Sequence, residues 1–122
     1  MKESLLPELL EELRAVTAQS SLIATVSTGR PNWIASIVAE GVWLETEASR
    51  SKGVGPQLVP AWMLNAAWHH LRSTGTLDNR FLLSTEGLNV KRSSAVCALL
   101  SQLPWVEVAS SRPIMLRVKS QH

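Results

Sequence analysis

The spacing of apolar residues changes repeatedly along this chain, and this succession constrains its fold more than any other feature of the sequence. Residues 4–18 place leucines at helical spacing, whereas residues 21–47 show the period-two alternation of β-strands. Helical spacing returns over residues 60–74 and 91–103, before two short strand-like segments. A helix, strands, further helices and a terminal hairpin in this order predict an α+β fold.

The first of these regions predicts an N-terminal helix and a three-stranded antiparallel meander. Ser4 is the expected N-cap of the helix, and Pro7 suits its first turn. Turn residues at 29–32 and 39–41 separate the three strands, which we expect at 21–28, 33–38 and 42–47. The apolar residues of the segment 5–16 exceed what one narrow core contact requires, so this helix is also a candidate homodimer contact.

Residues 49–59 lack periodicity and begin with the segment SRSKGVG. They predict a loop that joins an N-terminal part, 1–48, to a C-terminal part, 60–122, within one compact unit. Arg50 and Lys52 would contact phosphate if this loop is functional. A solvated surface loop is the alternative.

The C-terminal part begins with Pro60, which suits the start of a helix running to about Thr74, and Gly75 is a helix stop signal. A short extended piece follows, and Asp78 is the expected cap of a short helix through Leu83. The remaining predicted elements are a helix over 91–103, which Pro104 ends, and strands over 106–109 and 114–118 around a turn at 110–113.

The N-terminal and C-terminal parts also differ in net charge. The whole chain of 122 residues has a formal charge of +2, which excludes a histone-like tail. Five basic and seven acidic residues precede Pro60, giving −2, whereas seven basic and three acidic residues follow, giving +4. The basic groups therefore concentrate in the C-terminal part, where they suit an anionic partner.

Other features exclude several classes of protein. Cys97 is the single cysteine, which excludes an intramolecular disulfide and disfavours a cysteine zinc site, and we expect it to be a small buried hydrophobe. Acidic residues interrupt the N-terminus, and no apolar run approaches the roughly 20 residues of a membrane span. We therefore expect a soluble cytoplasmic protein with no membrane contact.

The sequence contains no clear arrangement of catalytic or metal-binding residues. His69 and His70 are adjacent, and side chains at neighbouring helical positions diverge too far to chelate one metal. Glu45 and Glu47 share a strand face but have no histidine or lysine at metal-site or nuclease spacing. We therefore expect a protein without enzymatic activity, metal or cofactor.

The order helix, short helix, turn, helix and hairpin after residue 60 resembles a winged helix-turn-helix. The resemblance covers about residues 60–119. The residues that match the pattern are Gly75, Leu77, Leu82, Leu83, the segment 88–94, Val96, Leu99, Leu100, Leu103 and the segment 106–108. Together with the N-terminal helix and meander, the chain is also loosely similar to small accessory domains of prokaryotic defence and restriction proteins.

In winged-helix DNA binders the third helix enters the major groove and the wing contacts the backbone or the minor groove. The resemblance therefore implies a DNA-binding protein with an accessory or regulatory role, with RNA as the alternative nucleic acid. The residues that it implies in binding are Asn79 and Arg80 at the second helix, Lys91, Arg92, Ser93 and Ser94 at the recognition helix, Arg112 at the wing tip, and Arg117 with Lys119 along the last strand.

The predicted recognition helix lacks the side chains that usually read base edges. Ala95, Ala98 and either Ser101 or Gln102 occupy the groove-facing positions, where Arg, Asn or Gln would pair with base edges. Binding mainly to the backbone, with weak base preference, is one explanation. The other is that this smooth face packs against protein, which would make the chain an interaction subunit, an adaptor or an inhibitor in a defence or mobile-element complex.

Five tryptophans in so short a chain favour partner contacts as well as core packing. Trp33 and Trp43 lie on predicted strands. If exposed, they would stack on an unpaired base or fill a partner's groove, and core packing is the alternative. We expect Trp62 and Trp68 in the core and Trp105 over the end of the recognition helix.

Overall fold

The computed structural model describes residues 3–84 and 86–119. In chain order its elements are α1 (Pro7–Gln19), β1 (Leu22–Ala24), β2 (Pro31–Val38), β3 (Gly41–Thr46), α2 (Glu47–Lys52), β4 (Gln57–Pro60), α3 (Ala61–Thr74), β5 (Thr76–Asp78), α4 (Asn79–Leu83), α5 (Ser93–Leu100), β6 (Val106–Ser111) and β7 (Ile114–Val118). Helices and antiparallel strands therefore mix along the chain, which confirms the α+β class.

The strands of the described residues form two sheets. The N-terminal sheet has the order β1-β2-β3-β4, so that each strand pairs with the next in sequence. The C-terminal sheet has the order β5-β7-β6, which places the last strand between the other two. In it, Leu116 of β7 lies opposite Leu77 of β5 and opposite Val108 of β6.

The N-terminal sheet has four strands, where the sequence predicted a three-stranded meander followed by a loop. Residues 49–59 instead contain most of α2 and the start of β4, and Val59 lies opposite Val42 of β3. α2 begins at a capping box, in which Ser49 N–H donates to Thr46 Oγ1 over 3.0 Å and Thr46 N–H donates to Ser49 Oγ over 2.8 Å. Only the pairing with β3 makes the short β4 segment a strand, which explains why its own sequence did not reveal it.

The close approach of β3 to β4 depends on Gly41. Its backbone has a φ of 145°, and an added Cβ would lie 2.1 Å from the carbonyl oxygen of Val59. No side chain fits at that distance, so glycine is required where the sheet turns from β2 into β3.

α1 begins later than the sequence predicted, and Ser4 is not its N-cap. The N-cap position falls on Leu6, which provides no capping side chain. Asn65 of α3 takes over this role, because its Oδ1 accepts from Leu6 N–H over 3.0 Å while its Nδ2 donates to the Ser4 carbonyl over 2.8 Å. A side chain 59 residues away therefore caps this helix, which no local pattern can show.

One contiguous hydrophobic core joins both sheets and the long helices. Leu9 and Leu13 of α1 belong to the same core as Leu64 and Leu71 of α3, and all four are at most 1% exposed. Most of the apolar side chains of α1 that suggested a homodimer contact are therefore buried within the chain itself. Leu6 is 37% exposed on the same helix.

The helix expected over residues 91–103 is shorter than predicted, since α5 covers Ser93–Leu100 and a turn leads on to Pro104. It contacts α3, α4 and β1, and the side chains from Val96 to Leu100 are fully buried. Among the described residues, no helix has the length and apolar character needed to cross a bilayer.

Two tryptophans of α3 have different environments. Trp68 is 5% exposed, as expected for the core, whereas Trp62 is 40% exposed, so its expected core position is wrong. At 3.6 residues per turn, Trp62 lies on the opposite side of the helix from the buried Leu71. The buried stripe of α3 therefore excludes Trp62.

Candidate nucleic-acid interface

Four elements of the fold surround one open depression of about 420 Å³. We call it the polar depression. The residues that line it are Ser27 and Thr28 of the β1–β2 turn, Asn79 at the start of α4, Ser94 at the start of α5, and Ser111, Arg112, Pro113 and Ile114 around the β6–β7 turn. Three of the residues predicted from the sequence, Asn79, Ser94 and Arg112, therefore meet at one place.

Strand register explains why α4 and the β6–β7 turn converge. Asp78, the last residue of β5, lies opposite Met115 of β7, and Ile114 lies opposite Ser111 of β6. Asn79 follows Asp78 directly and therefore lies beside the turn that carries Arg112. Asp78 also caps α4, because its Oδ1 accepts from Arg80 N–H over 2.8 Å.

The Asn79 side chain lacks a partner that its burial requires. Its amide oxygen Oδ1 is buried and has no hydrogen-bond donor among the described residues. Native structures rarely leave a buried carbonyl-type oxygen unpaired, because its desolvation is then not compensated. Asn79 lines the polar depression, but this oxygen has almost no solvent-accessible surface and is therefore not open to the depression.

Arg112 joins the hairpin to the N-terminal part. Its Nε donates to the carbonyl oxygen of Ser27 over 3.1 Å, across 85 residues of sequence. The side chain remains exposed, and a guanidinium has five N–H donors, so this bond leaves the terminal amino groups for an anion. The β6–β7 turn is therefore held against the β1–β2 turn.

The start of α5 contributes hydroxyl and cationic groups. Ser94 is exposed at the first turn, where helix geometry leaves backbone N–H groups without intrahelical acceptors. Ser93, in contrast, is 3% exposed and faces the core. Lys91 is exposed and forms no ion pair with any described residue, whereas Arg92 is half-buried and donates to Gln57 Oε1 over 2.7 Å.

The other predicted cations, Arg80, Arg117 and Lys119, do not add free positive charge to the polar depression. Arg80 is paired with Asp78 over 2.9 Å, and this hydrogen bond lowers the pKa of the Asp78 carboxyl below its ordinary value of 3.8. Arg117 is paired with Glu107 over 2.6 Å and lies opposite Thr76, toward the other end of β7 from the turn. Lys119 is exposed beyond that same end of β7.

The face of α5 that was expected to meet a groove is covered by the chain itself. Ala98 and Cys97 are fully buried and Ala95 is half-buried, while Gln102 is exposed beyond the end of the helix. Burial raises the pKa of the Cys97 thiol to about 12, with a smaller contribution from the charge of Asp78. As folded, α5 therefore presents its N-terminal end to solvent and not its length.

Trp33 and Trp43 share the outer face of the N-terminal sheet. Trp33 lies opposite Glu45, and Trp43 is two residues from Glu45 on the same strand, so the three side chains share one face. Both tryptophans are half-buried. The Arg50 guanidinium covers the Trp33 ring at 3.6 Å and pairs with Glu45 over 2.9 Å, so one face of that ring is already occupied.

Sequence reasoning missed the contributions of Ser27, Thr28 and Ser111. Ser27 and Thr28 lie in a turn, because β1 ends at Ala24 and the strand predicted over 21–28 is therefore too long. Ser111 lies at the β6–β7 turn, and only the contact between the two distant turns places all three at the polar depression. The two histidines do not form a site, since His69 is exposed and His70 stacks on Phe81 at 4.7 Å. Within residues 3–84 and 86–119, no group of three or more acidic, histidine or cysteine side chains has the arrangement of a metal site.

No protein-family model matches this sequence, and neither the curated proteins nor the solved structures gave a significant match. Function must therefore be inferred from the geometry of the residues themselves.

Proposed function

We propose that this protein binds nucleic acid, mainly through the phosphate backbone, at a surface formed by the polar depression and the adjacent Lys91. The observation that carries this proposal is the convergence of Asn79, Ser94 and Arg112 from three separate elements. A guanidinium, a hydroxyl and the free N–H groups of a helix start are the donors that backbone contacts use in protein–DNA complexes. In this proposal the protein is not an enzyme.

The order of elements supports a winged helix-turn-helix as the scaffold of this surface. After Pro60 the chain forms a helix, a short strand, a short helix, a third helix and a hairpin, in the order that the resemblance implied. The hairpin strand β7 lies between β5 and β6. The short strand β5, which connects α3 to α4, therefore forms one small sheet with the two strands of the hairpin. The start of α5 and the hairpin turn then lie on the same side of the molecule.

The environment of α5 supports contacts to the backbone in preference to base reading. The side chains that would enter a major groove are small, and Ala98 and Cys97 are buried against the rest of the chain. Groups at the helix start are able to reach a phosphate without insertion of the helix. We therefore expect weak discrimination among sequences, below roughly 4 kcal/mol between the best and the average site.

The direct test is a titration of duplex DNA at low and at moderate salt. We expect binding that weakens with salt by about one unit of slope for each phosphate contacted, hence a slope of about −2 to −3. Lys91→Ala and Arg112→Ala should each weaken binding and reduce the slope by roughly one unit. Arg14→Ala, which removes an exposed cation of α1, is the matched control and should leave both quantities unchanged.

Absence of binding at low salt, or equal effects of the three substitutions, would contradict the proposal. A duplex RNA of the same sequence, titrated in parallel, decides between DNA and RNA as the preferred partner. Competition with unrelated duplexes measures the base preference. Strong discrimination would contradict the backbone mechanism.

The outer face of the N-terminal sheet favours a second candidate function, the binding of a protein partner. Leu22 is 51% exposed on β1, and it lies opposite Trp33 on the face that also carries Trp43. Loss of a purified complex on Trp43→Ala, together with its retention on Lys91→Ala, would support a protein-binding role. A complex that survives Trp43→Ala would contradict it.

A further inference from the structure

A groove runs along one side of α1 and shares no residue with the polar depression. Its first part, of about 520 Å³, lies between the helix from Glu8 to Glu12 and Trp105 opposite. Its second part, of about 330 Å³, continues along the helix to Gln19, with Pro104 opposite. Glu12 lines both parts, so they adjoin, and we call them together the α1 groove.

The α1 groove has the length of a short extended peptide. From Glu8 to Gln19 the helix rises by about 17 Å, at about 1.5 Å per residue. An extended chain advances by about 3.3 Å per residue, so about five residues span this length. A compact small molecule in one part would leave the other part open, which favours a peptide segment as the occupant.

The α1 side of the groove carries an excess of negative charge. Glu8, Glu11 and Glu12 all line it, and among the described residues Arg72 is the only cation that does so. Arg72 already pairs with Glu8 over 3.0 Å. Glu11 is exposed and forms no ion pair with any described residue. This charge complements a cationic segment.

The three carboxylates differ in what they have left to bind. Both oxygens of Glu12 accept from indoles, one from Trp68 and the other from Trp105, so this side chain serves the fold. Glu8 uses only Oε2 toward Arg72, and its side chain is 74% exposed. Glu8 and Glu11 are three residues apart on one helix face, so together they are able to accept from neighbouring cationic side chains.

The side of the groove opposite α1 is largely apolar. Pro104, Trp105 and Val118 line it, and none of the three is fully buried. Successive side chains of an extended peptide point to opposite sides, so alternate residues would meet the two walls. Cationic side chains would then face Glu8 and Glu11, while the residues between them would cover the apolar wall.

We propose that the α1 groove binds an extended segment of a protein partner, in which arginine or lysine alternates with apolar residues. This interaction goes beyond the proposed function, because the groove and the polar depression have separate residues. A protein that binds nucleic acid at the depression would therefore hold such a partner at the same time.

The test uses a fluorescein-labelled, end-capped hexapeptide in which arginine and leucine alternate, followed by fluorescence anisotropy. Replacing Glu8 and Glu11 together by glutamine should weaken binding about four- to twentyfold, since one exposed ion pair contributes a factor of about two to five. Both side chains are exposed, so the fold should persist. The matched control replaces Glu47 and Glu86, two exposed carboxylates outside the groove, and should keep the original affinity.

The Trp105 indole reports the position of the peptide. In a proton–nitrogen NMR spectrum its Nε1–H signal should shift as the peptide is added, because Trp105 lines the groove. The signal of Trp62, which is 40% exposed on α3 and does not line the groove, should stay in place. A peptide with glutamate in place of arginine should cause neither binding nor shift.

Equal affinities of the two double variants would overturn the proposal, since binding would then follow total charge. A shift of Trp62 without one of Trp105 would also overturn it, because the peptide would lie elsewhere. Displacement of the peptide by a similar concentration of free spermidine would assign the groove to a small polycation instead. Absence of peptide binding at low salt, with salt-dependent duplex binding retained, would overturn the groove and leave the proposed function standing.

Discussion

Glu12 of α1 accepts a hydrogen bond from the indole Nε1 of Trp68 on α3 over 3.0 Å. The second oxygen of the same carboxylate accepts from the indole of Trp105, in the segment between α5 and β6. Arg72 lies over the Trp68 ring at 4.7 Å and pairs with Glu8 over 3.0 Å. One acidic side chain thus joins the N-terminal helix to two separate parts of the C-terminal half.

We therefore expect Glu12→Ala to destabilise the fold by about 2–4 kcal/mol, because it leaves two indole N–H groups without their charged acceptor. Glu12→Gln keeps one acceptor oxygen and should cost about half as much. Glu11→Ala changes the exposed neighbour on the same helix and should stay within about 0.5 kcal/mol. Urea unfolding measures all three, and equal losses for Glu11→Ala and Glu12→Ala would show that the indole contacts contribute little.

Two asparagines provide a matched test of the polar depression. Asn65 is 5% exposed and fully bonded, with contacts to Leu6, Ser4 and Glu3, whereas the Asn79 oxygen is buried without a partner among the described residues. We expect Asn65→Ala to cost about 2–3 kcal/mol and Asn79→Ala to be neutral or to stabilise by up to about 1 kcal/mol. If thermal unfolding shows the same loss for both, Asn79 serves the fold and its role as a ligand-binding residue loses its support.

Gly41 should tolerate no side chain. Gly41→Ala places a Cβ 2.1 Å from the Val59 carbonyl oxygen, and we expect a loss above about 3 kcal/mol or failure to fold. Gly29→Ala is the control, because Gly29 also has a positive φ, of 72°, but has open space around the added Cβ. It should cost only about 1 kcal/mol, from backbone strain alone. Similar values for the two variants would indicate that β3 and β4 separate easily.

Releasing Arg80 from its ion pair should strengthen binding of nucleic acid. Because the pKa of Asp78 is lowered, the pair stays charged at neutral and mildly acidic pH, and its contribution is lost only as the pH falls through that lowered value. Substitution is therefore the practical way to break it. Asp78→Asn keeps a good N-cap for α4 and frees the guanidinium beside Asn79, so we expect the affinity to rise several-fold and the salt slope to increase by up to about one unit.

Glu45→Gln is the control for this release, since it frees Arg50 on the outer face of the N-terminal sheet. It should change neither the affinity for a duplex nor its salt dependence. An increase of the same size in both variants would mean that binding follows total charge and that the position of the cation is unimportant.

Cys97 should be unreactive in the folded protein. It is fully buried, and burial raises the pKa of its thiol to about 12, so the thiol stays protonated at pH 8. We expect alkylation by iodoacetamide at pH 8 to follow global unfolding and to accelerate with urea in step with the loss of structure. Rapid labelling without denaturant would show that α5 opens locally.

Local patterns in the sequence determined most of the elements. The helix from Pro60 to Gly75, the Asp78 cap and the final hairpin follow from residue types whose preferences act over a few positions. Asn79, Ser94 and Arg112 became candidate contacts only through the resemblance to a winged helix-turn-helix. Their places at helix starts and in a turn follow from local signals, and their role in binding stays a prediction.

Only the tertiary structure decided which of these residues lie together. The cap of α1 comes from Asn65, β4 exists because β3 pairs with it, and α5 is buried against α3, α4 and β1. Arg112 meets Ser27 across 85 residues, and this contact joins the two turns that frame the polar depression. Local preference is a property of neighbouring residues, whereas burial and the satisfaction of buried polar groups depend on every segment that packs around them, and those partners are fixed only once the whole chain has folded.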